Sequence, residues 1–93
     1  MSIRTVRFRG VDVRIEVIEL LKLIRKYGSL SKAAKLLNIP YSTAFRLIRE
    51  TEAALSEALV ESIRGGSYGG YSRLTKLGEE LILLFSEGDL GSR

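Results

Sequence analysis

The segment Gly28-Ser-Leu-Ser-Lys-Ala-Ala-Lys-Leu-Leu-Asn-Ile-Pro-Tyr-Ser-Thr-Ala-Phe-Arg-Leu-Ile-Arg49 decides the fold, because its spacing reads as two short helices joined by a tight turn. Leu30, Ala33, Ala34 and Leu37 recur at i, i+3, i+4 and i+7, one helical face, behind Ser31 as candidate N-cap. Asn38 tolerates the left-handed geometry of a sharp helix exit, and Pro40 disfavours helix at Ile39. The chain is therefore expected to turn across residues 38–40, with Ile39 as an inward apolar plug. A second helix is predicted from Tyr41 to Leu55, with Ala44, Phe45, Ile48 and Leu55 inside and Ser42, Thr43, Arg46 and Arg49 on or near the outside. Ala33 and Ala34 are the small residues that two steeply crossing helices need at their contact. This is the pattern of a helix-turn-helix.

Upstream, Arg4-Thr-Val-Arg-Phe-Arg9 alternates as a half-buried strand does, with Val6 and Phe8 on one face, and Gly10 punctuates it. The stretch that follows admits two readings. Val13, Val17, Leu20, Leu21 and Ile24 make a helical stripe, which favours a helix from Asp12 or Arg14 to Tyr27 stopped by Gly28; a small hairpin through Val13 is the alternative. Ile18 and Leu23 lie off that stripe and mark a second partner surface.

Downstream, residues 59–64 and 71–74 read as two strands around Gly65-Gly-Ser-Tyr-Gly-Gly70. Four glycines in six residues suit a hairpin tip that lies flat against another surface or takes conformations a β-carbon forbids. Thr75 is placed to cap a last helix, with Glu79 and Glu80 near its positive end and Leu77, Leu81 and Leu84 as its stripe. Ile82, Leu83 and Phe85 form a second stripe, so one side is expected to pack at home and the other on a second copy. The expected division is one winged helix-turn-helix domain over residues 1–86 and a disordered tail over 87–93.

Ninety-three residues suffice for one modest core. Fifteen Lys and Arg against eleven Asp and Glu leave a net charge of +4, which favours a polyanionic partner. Placement is the stronger signal, since Lys32, Lys35, Arg46, Arg49, Arg64, Arg73 and Lys76 surround the second helix of the pair and the hairpin. The chain has no Cys and no His, and its only aspartates are Asp12 and Asp89, so neither a metal-ligand spacing nor a nucleophile–base constellation is present. No enzyme, metal or cofactor is expected. The glycine loop lacks the Lys-Ser/Thr of a phosphate-binding loop and precedes a strand rather than a helix. No apolar run is long enough for a membrane span and no signal peptide is apparent, so the cytoplasm, beside the nucleoid, is the expected location.

Three blocks, GSLSKAAKLLNIPYSTAFRLI (28–48), LVESIRGGSYGG (59–70) and SRLTKLGEEL (72–81), resemble the winged helix-turn-helix domain of ModE-type molybdate-responsive regulators, cousins of the LysR-type N-terminal domain. The resemblance implies a mainly α, α+β winged helix-turn-helix: an N-terminal strand, three helices, a two-stranded glycine-rich wing and a C-terminal helix. It also implies that the second helix of the pair enters a major groove of double-stranded DNA, that the wing lies on the adjacent minor groove or backbone, and that terminal helices form a two-fold homodimer. By matching position, Tyr41, Ser42, Thr43 and Arg46 face bases or nearby phosphates. Arg64, Gly66, Ser67, Tyr68, Gly69, Tyr71 and Arg73 make the wing contact. Pro40 departs from the family, replacing the small polar residue usual at the start of that helix and removing its side-chain cap. These residues hold no counterpart of the family's molybdate-binding domain, so no oxyanion sensing is expected of them.

Each candidate has a plainer role beside the functional one. Arg46 suits a forked pair of hydrogen bonds to guanine O6 and N7, or a phosphate clamp. Arg49 follows it on the same face. Ser42 and Thr43 suit base edges and phosphates, or local capping; Tyr41 suits the groove edge, or packing over the turn. Ser29, Ser31 and Lys32 stand where the first helix of the pair would meet the DNA backbone, or the serines simply cap it. Arg4, Arg7 and Arg9 form a basic arm or the solvated face of a strand. Ile18, Leu23, Ile82, Leu83 and Phe85 are the candidate dimer residues. The leading reading is a homodimeric, sequence-specific DNA-binding transcriptional regulator. Its rivals are a non-sequence-specific architectural DNA-binding protein and a winged domain used for protein–protein assembly, toward which Glu50, Glu52, Glu57 and Glu61 lean.

Overall fold

The computed structural model describes residues 4–64 and 70–91. Strands β1 (Thr5–Phe8) and β2 (Val11–Arg14) lead into helices α1 (Ile15–Tyr27), α2 (Leu30–Leu36) and α3 (Tyr41–Leu55), then strands β3 (Val60–Arg64) and β4 (Gly70–Leu74) and helix α4 (Lys76–Gly91). Each strand pair forms its own two-stranded antiparallel sheet. The fold is the mainly helical winged helix-turn-helix that the three sequence blocks imply.

The ambiguous N-terminal stretch resolves as the hairpin, not as a helix from Asp12. Arg9 (φ 53°) and Gly10 (φ 79°) form a two-residue loop with both φ positive, which matches the twist of the flanking strands. Val6 pairs with Val13 and Phe8 with Val11, so these four side chains share one face, and Phe8 and Val13 are buried. On the other face Arg7 donates to Asp12 at 2.8 Å, and Arg9 reaches Glu80 of α4 at 2.8 Å. Arg7 and Arg9 thus serve a solvated face. Helix then starts at Ile15, whose N–H donates to the Arg4 carbonyl at 3.0 Å. Glu16 in the first turn is held below the usual carboxylate range, first by its own backbone N–H and then by Arg14.

Helix α1 is the hub of the molecule, packing against β2, α2, α3, β4 and α4. Val17, Ile18, Leu20, Leu21 and Ile24 are consequently all buried, on a face wider than one stripe. Ile18 is thereby corrected from a candidate dimer residue to a core residue. The helix ends at Gly28 (φ 73°), whose N–H donates to Ile24 O at 2.7 Å. The Gly28 carbonyl accepts the Ser72 N–H at 2.9 Å, fastening β4 to the end of α1.

Helix α2 is capped by Ser29, which accepts the Lys32 N–H at 3.0 Å; Ser31, the expected cap, lies inside the first turn and is exposed. The helix begins two residues earlier than a Ser31 cap requires because Leu30 already packs on the core. At its end Asn38 (φ 60°) donates to Lys35 O and Ile39 N–H to Ala34 O, both at 3.0 Å. This double closure satisfies the last carbonyls of α2 and turns the chain sharply. Pro40 then starts α3, without a side-chain cap.

The expected inner stripe of α3 needs one exchange. Ala44, Leu47, Ile48 and Glu52 are buried, whereas Phe45 lies outside at 42 % exposure. At about 100° per residue, Leu47 and Phe45 lie equally far, on opposite sides, from the direction shared by Ala44 and Ile48, so the neighbours of α3 and not its period decide which of the two turns inward. Helix α4 shows the same kind of shift. Thr75 caps it, its Oγ1 accepting the Gly78 N–H at 3.2 Å. A β-carbon on Gly78 would run into the Leu59 carbonyl, so the glycine face of the helix presses on the residue that leads into β3. Leu77, Gly78, Leu81 and Ile82 are therefore inside, with Phe85 half-buried, while Leu84 (52 % exposed) and Leu83 (60 %) point outward. Leu84 leaves the expected core stripe and Ile82 joins it. The helix also continues past residue 86, where a tail was expected, to Gly91. Extending a helix that is already packed adds one hydrogen bond per residue fixed.

Candidate nucleic-acid interface

Crossing the small Ala33–Ala34 face of α2, helix α3 buries one side and offers the other to solvent. Its outward residues are Ser42, Arg46 and Arg49, flanked by Tyr41 (53 % exposed) and Phe45 on one side and by half-buried Thr43 on the other. Beside the Tyr41–Phe45 flank stand the two wing strands. Leu30, Tyr41, Phe45, Arg49, Ser62 and Ser72 line a shallow cleft between them. The helix face and the wing are thus neighbours, as a probe and a finger working on one surface must be.

The wing register puts Glu61 opposite Arg73 and Ile63 opposite Tyr71, and Tyr71 and Arg73 project into solvent on one face of β4. Arg73 donates to Glu61 at 2.8 Å, and that hydrogen bond pushes its guanidinium pKa up further. Arg64 ends β3, and Gly66, Ser67, Tyr68 and Gly69 lie outside the described residues.

Electrostatically, the outward face of α3 and the wing beside it are not a bare cationic patch. Arg46 has Glu50 at 3.5 Å, Arg49 has Glu52 at 3.4 Å and Arg73 has Glu61 at 2.8 Å. Glu50 and Glu61 are exposed, so these pairs are weak and exchangeable for phosphate. Glu52 differs in being 8 % exposed. Its Oε2 accepts the Leu59 N–H at 2.8 Å and the Val60 N–H at 3.2 Å, joining α3 to the first residues of the wing. Glu52 therefore positions the wing rather than serving a protein partner. Its sequence signal was its place four residues after Ile48, on the inner stripe.

Phe45 is the other functional candidate that periodicity misplaced. Its ring lies 6.1 Å from that of Tyr41, at 23° between planes, and the Arg49 guanidinium carbon sits 5.0 Å from its centroid. On α2, Ser29 is occupied as a cap, while Ser31 and Lys32 are exposed near the turn and the Lys32 ammonium lies 4.8 Å from the Tyr27 ring. Among the candidate dimer residues, Ile18 and Ile82 are consumed by the core. Leu23 is half-buried, Phe85 is half-buried under the Lys22 ammonium at 4.7 Å, and Leu83 is free at the surface beside Leu84. Among the described residues no helix is long and apolar enough to cross a membrane.

The chain's similarities fall on this same region. Residues 15–79 match the family described as bacterial regulatory helix-turn-helix protein, lysR family. The transcriptional regulator ModE of Yersinia pestis is 44 % identical over 68 residues, covering 73 % of this chain and 26 % of that protein. The DNA-binding transcriptional dual regulator ModE of Escherichia coli K12 is 41 % identical over the same length and shares of chain. The chain thus spans about a quarter of the length of these relatives. In fold it is similar to ArgP from Mycobacterium tuberculosis (TM-score 0.63, 22 % identity, 83 % of this chain and 27 % of that one). It is also similar to the CbnR DNA-binding domain crystallised in complex with DNA (TM-score 0.60, 24 % identity, 86 % and 92 %). With the helix pair, the wing strands and the capped first turn of α4 inside the matched span, the chain belongs to the LysR family of bacterial regulatory helix-turn-helix proteins.

Proposed function

We propose that this chain binds double-stranded DNA sequence-specifically and regulates transcription, with α3 in a major groove and the wing on the adjacent minor groove or backbone. The observation that carries this reading is the outward row Ser42, Arg46 and Arg49 with the wing strands directly beside it. Planar guanidiniums on a rigid helix suit base edges and phosphates alike, and the likeness to ModE regulators and to a DNA-bound domain supports the same partner. The pairing of Arg46 and Arg73 with exposed carboxylates disfavours indiscriminate coating of DNA, because each arginine exchanges one anion for another. A homodimer joined through the outward Leu83 and Leu84 of α4 completes the reading. Two recognition helices would then meet half-sites about 34 Å apart, or a multiple of that distance, in an inverted repeat. Such a protein works beside the nucleoid in the cytoplasm.

Selection of duplexes from a randomised pool at physiological salt tests the proposal. An enriched inverted repeat is expected, with a log–log salt slope near −5 if about six phosphates are neutralised. Arg46→Ala is expected to lower affinity and to remove about one unit of that slope if Arg46 clamps a phosphate, or to relax preference at one base pair if it reads a base. Recovery of random sequence alone overturns the specific reading.

A further inference from the structure

We infer that Phe45, set in place by Tyr41 and Arg49, is a specificity-determining residue that takes the C5-methyl group of a thymine in the major groove. The inference rests on the reading above that α3 faces DNA, and it goes further by naming the base and the side chain. Phe45 is 42 % exposed on a helix whose inner face has Leu47 and Ile48 to fill the core, so the fold does not use the exposed part of its ring. The ring is held along the helix by Tyr41 one turn before, 6.1 Å between centroids, and by Arg49 one turn after, 5.0 Å from its centroid. With neighbours on both sides, the ring offers its edge and is poorly disposed to slide between base pairs. In a stacked duplex the faces of the bases are covered, and the one apolar group projecting into the major groove is the thymine methyl. An exposed, preorganised aromatic edge next to Arg46 and Arg49, which would hold the adjacent bases or phosphates, is matched to that group in polarity and in place. A protein partner for the aromatic pair is less well supported, since the same face carries the paired arginines Arg46 and Arg49.

Duplexes recovered by the 93-residue chain from a randomised pool are resynthesised with deoxyuridine replacing each thymine in turn, which removes only the methyl group. For the wild-type chain, one thymine per half-site is expected to lose about four-fold in affinity, the value of one buried methyl. Phe45→Ala is expected to abolish that penalty and to lower affinity for the thymine-bearing duplex while leaving the salt slope unchanged, because no charge is removed. A wild-type chain indifferent to deoxyuridine at every position overturns the inference, and so does a Phe45→Ala chain that keeps the full penalty. Phe45→Leu, an apolar side chain without the ring, is expected to retain part of the effect and guards against loss of fold. If no duplex is enriched at all, the DNA-binding proposal itself fails, which is a different result from an enriched duplex that ignores the methyl. Loss of self-association in Phe45→Ala with an unchanged duplex preference gives the aromatic pair to a protein contact and also overturns the inference.

Discussion

Replacing Glu52 with Ala is expected to destabilise the protein by about 3 kcal/mol, although the change lies on a helix rich in charge. The Leu59 N–H, now donating to Glu52 Oε2 at 2.8 Å, sits in the core and would be left without an acceptor. An orphaned buried donor costs about 1–3 kcal/mol, and the Val60 N–H, bound at 3.2 Å and half-buried, adds about 1 because water can replace part of the bond. The pair with Arg49 adds only a few tenths, since the guanidinium end is largely solvated and screened. For a domain of this size each kcal/mol lowers Tm by roughly 4–8 °C, so about 3 kcal/mol corresponds to roughly 12–24 °C. Glu52→Gln keeps one acceptor and exchanges charge-assisted bonds for neutral ones, so about half that loss is expected. Glu50→Ala, an exposed pair one turn away from the core, should stay within about 0.5 kcal/mol. Urea and thermal unfolding followed by circular dichroism measure all three. A Glu52→Ala protein within about 0.5 kcal/mol of wild type would falsify the claim that this carboxylate braces the wing.

The same unfolding assays check three further expectations. Ser29→Ala should cost about 1 kcal/mol through loss of the cap on α2, whereas Ser31→Ala should be close to neutral; the reverse order would return the cap to Ser31. Gly78→Ala should cost about 1–3 kcal/mol, because its methyl meets the Leu59 carbonyl, which is backbone and cannot rotate away; a neutral or stabilised variant would show that α4 does not press on the Leu59 backbone. Glu16, its pKa lowered in the folded state from the ordinary 4.5, contributes stability that is present above the unfolded value and lost as pH falls through the lower folded value. The stability difference between wild type and Glu16→Gln should therefore shrink as pH drops below about 4.5, and a difference that grows there contradicts the assignment.

The helix-turn-helix was legible because its signals are local. Asn38 and Pro40 act through their own backbone preferences, and α3 begins at Tyr41 and ends at Leu55 as its spacing predicts. The wing was legible for the same reason, as two short strands around a glycine cluster. What could not be read depended on neighbours distant in sequence. Val11 and Val13 fit either period, and the choice fell to the partner strand holding Val6 and Phe8. Ile18 looked like a spare surface until five other elements closed around α1. Phe45 differs from an inner residue by a rotation of only one position, and which residue turns inward depends on where α1 and α2 lie. The roll of α4 that exposes Leu84 and buries Ile82 follows from the approach of the Leu59 carbonyl to Gly78, a contact between residues 19 positions apart. Glu52 reads from sequence as one of four acids leaning toward a protein partner; its place on the inner stripe hints at burial, but the Leu59 and Val60 amides that it accepts from are announced by no side-chain pattern.

Thr75 has a consequence beyond starting a helix. Its hydroxyl donates to the Ala58 carbonyl at 2.7 Å and its N–H to the Leu59 carbonyl at 2.9 Å, while the Leu59 N–H is tied through Glu52 to α3. The root of α4 and the last turn of α3 are thereby spliced through a single residue, Leu59. In a pair joined along Leu83 and Leu84, this splice leaves little slack within each chain to retune the distance between the two reading heads. In the dimer proposed above, that distance would become a matter of how one ridge of leucines seats on another, so a single methylene added or removed at the seam would alter the gauge of the operator without touching a residue proposed to meet DNA.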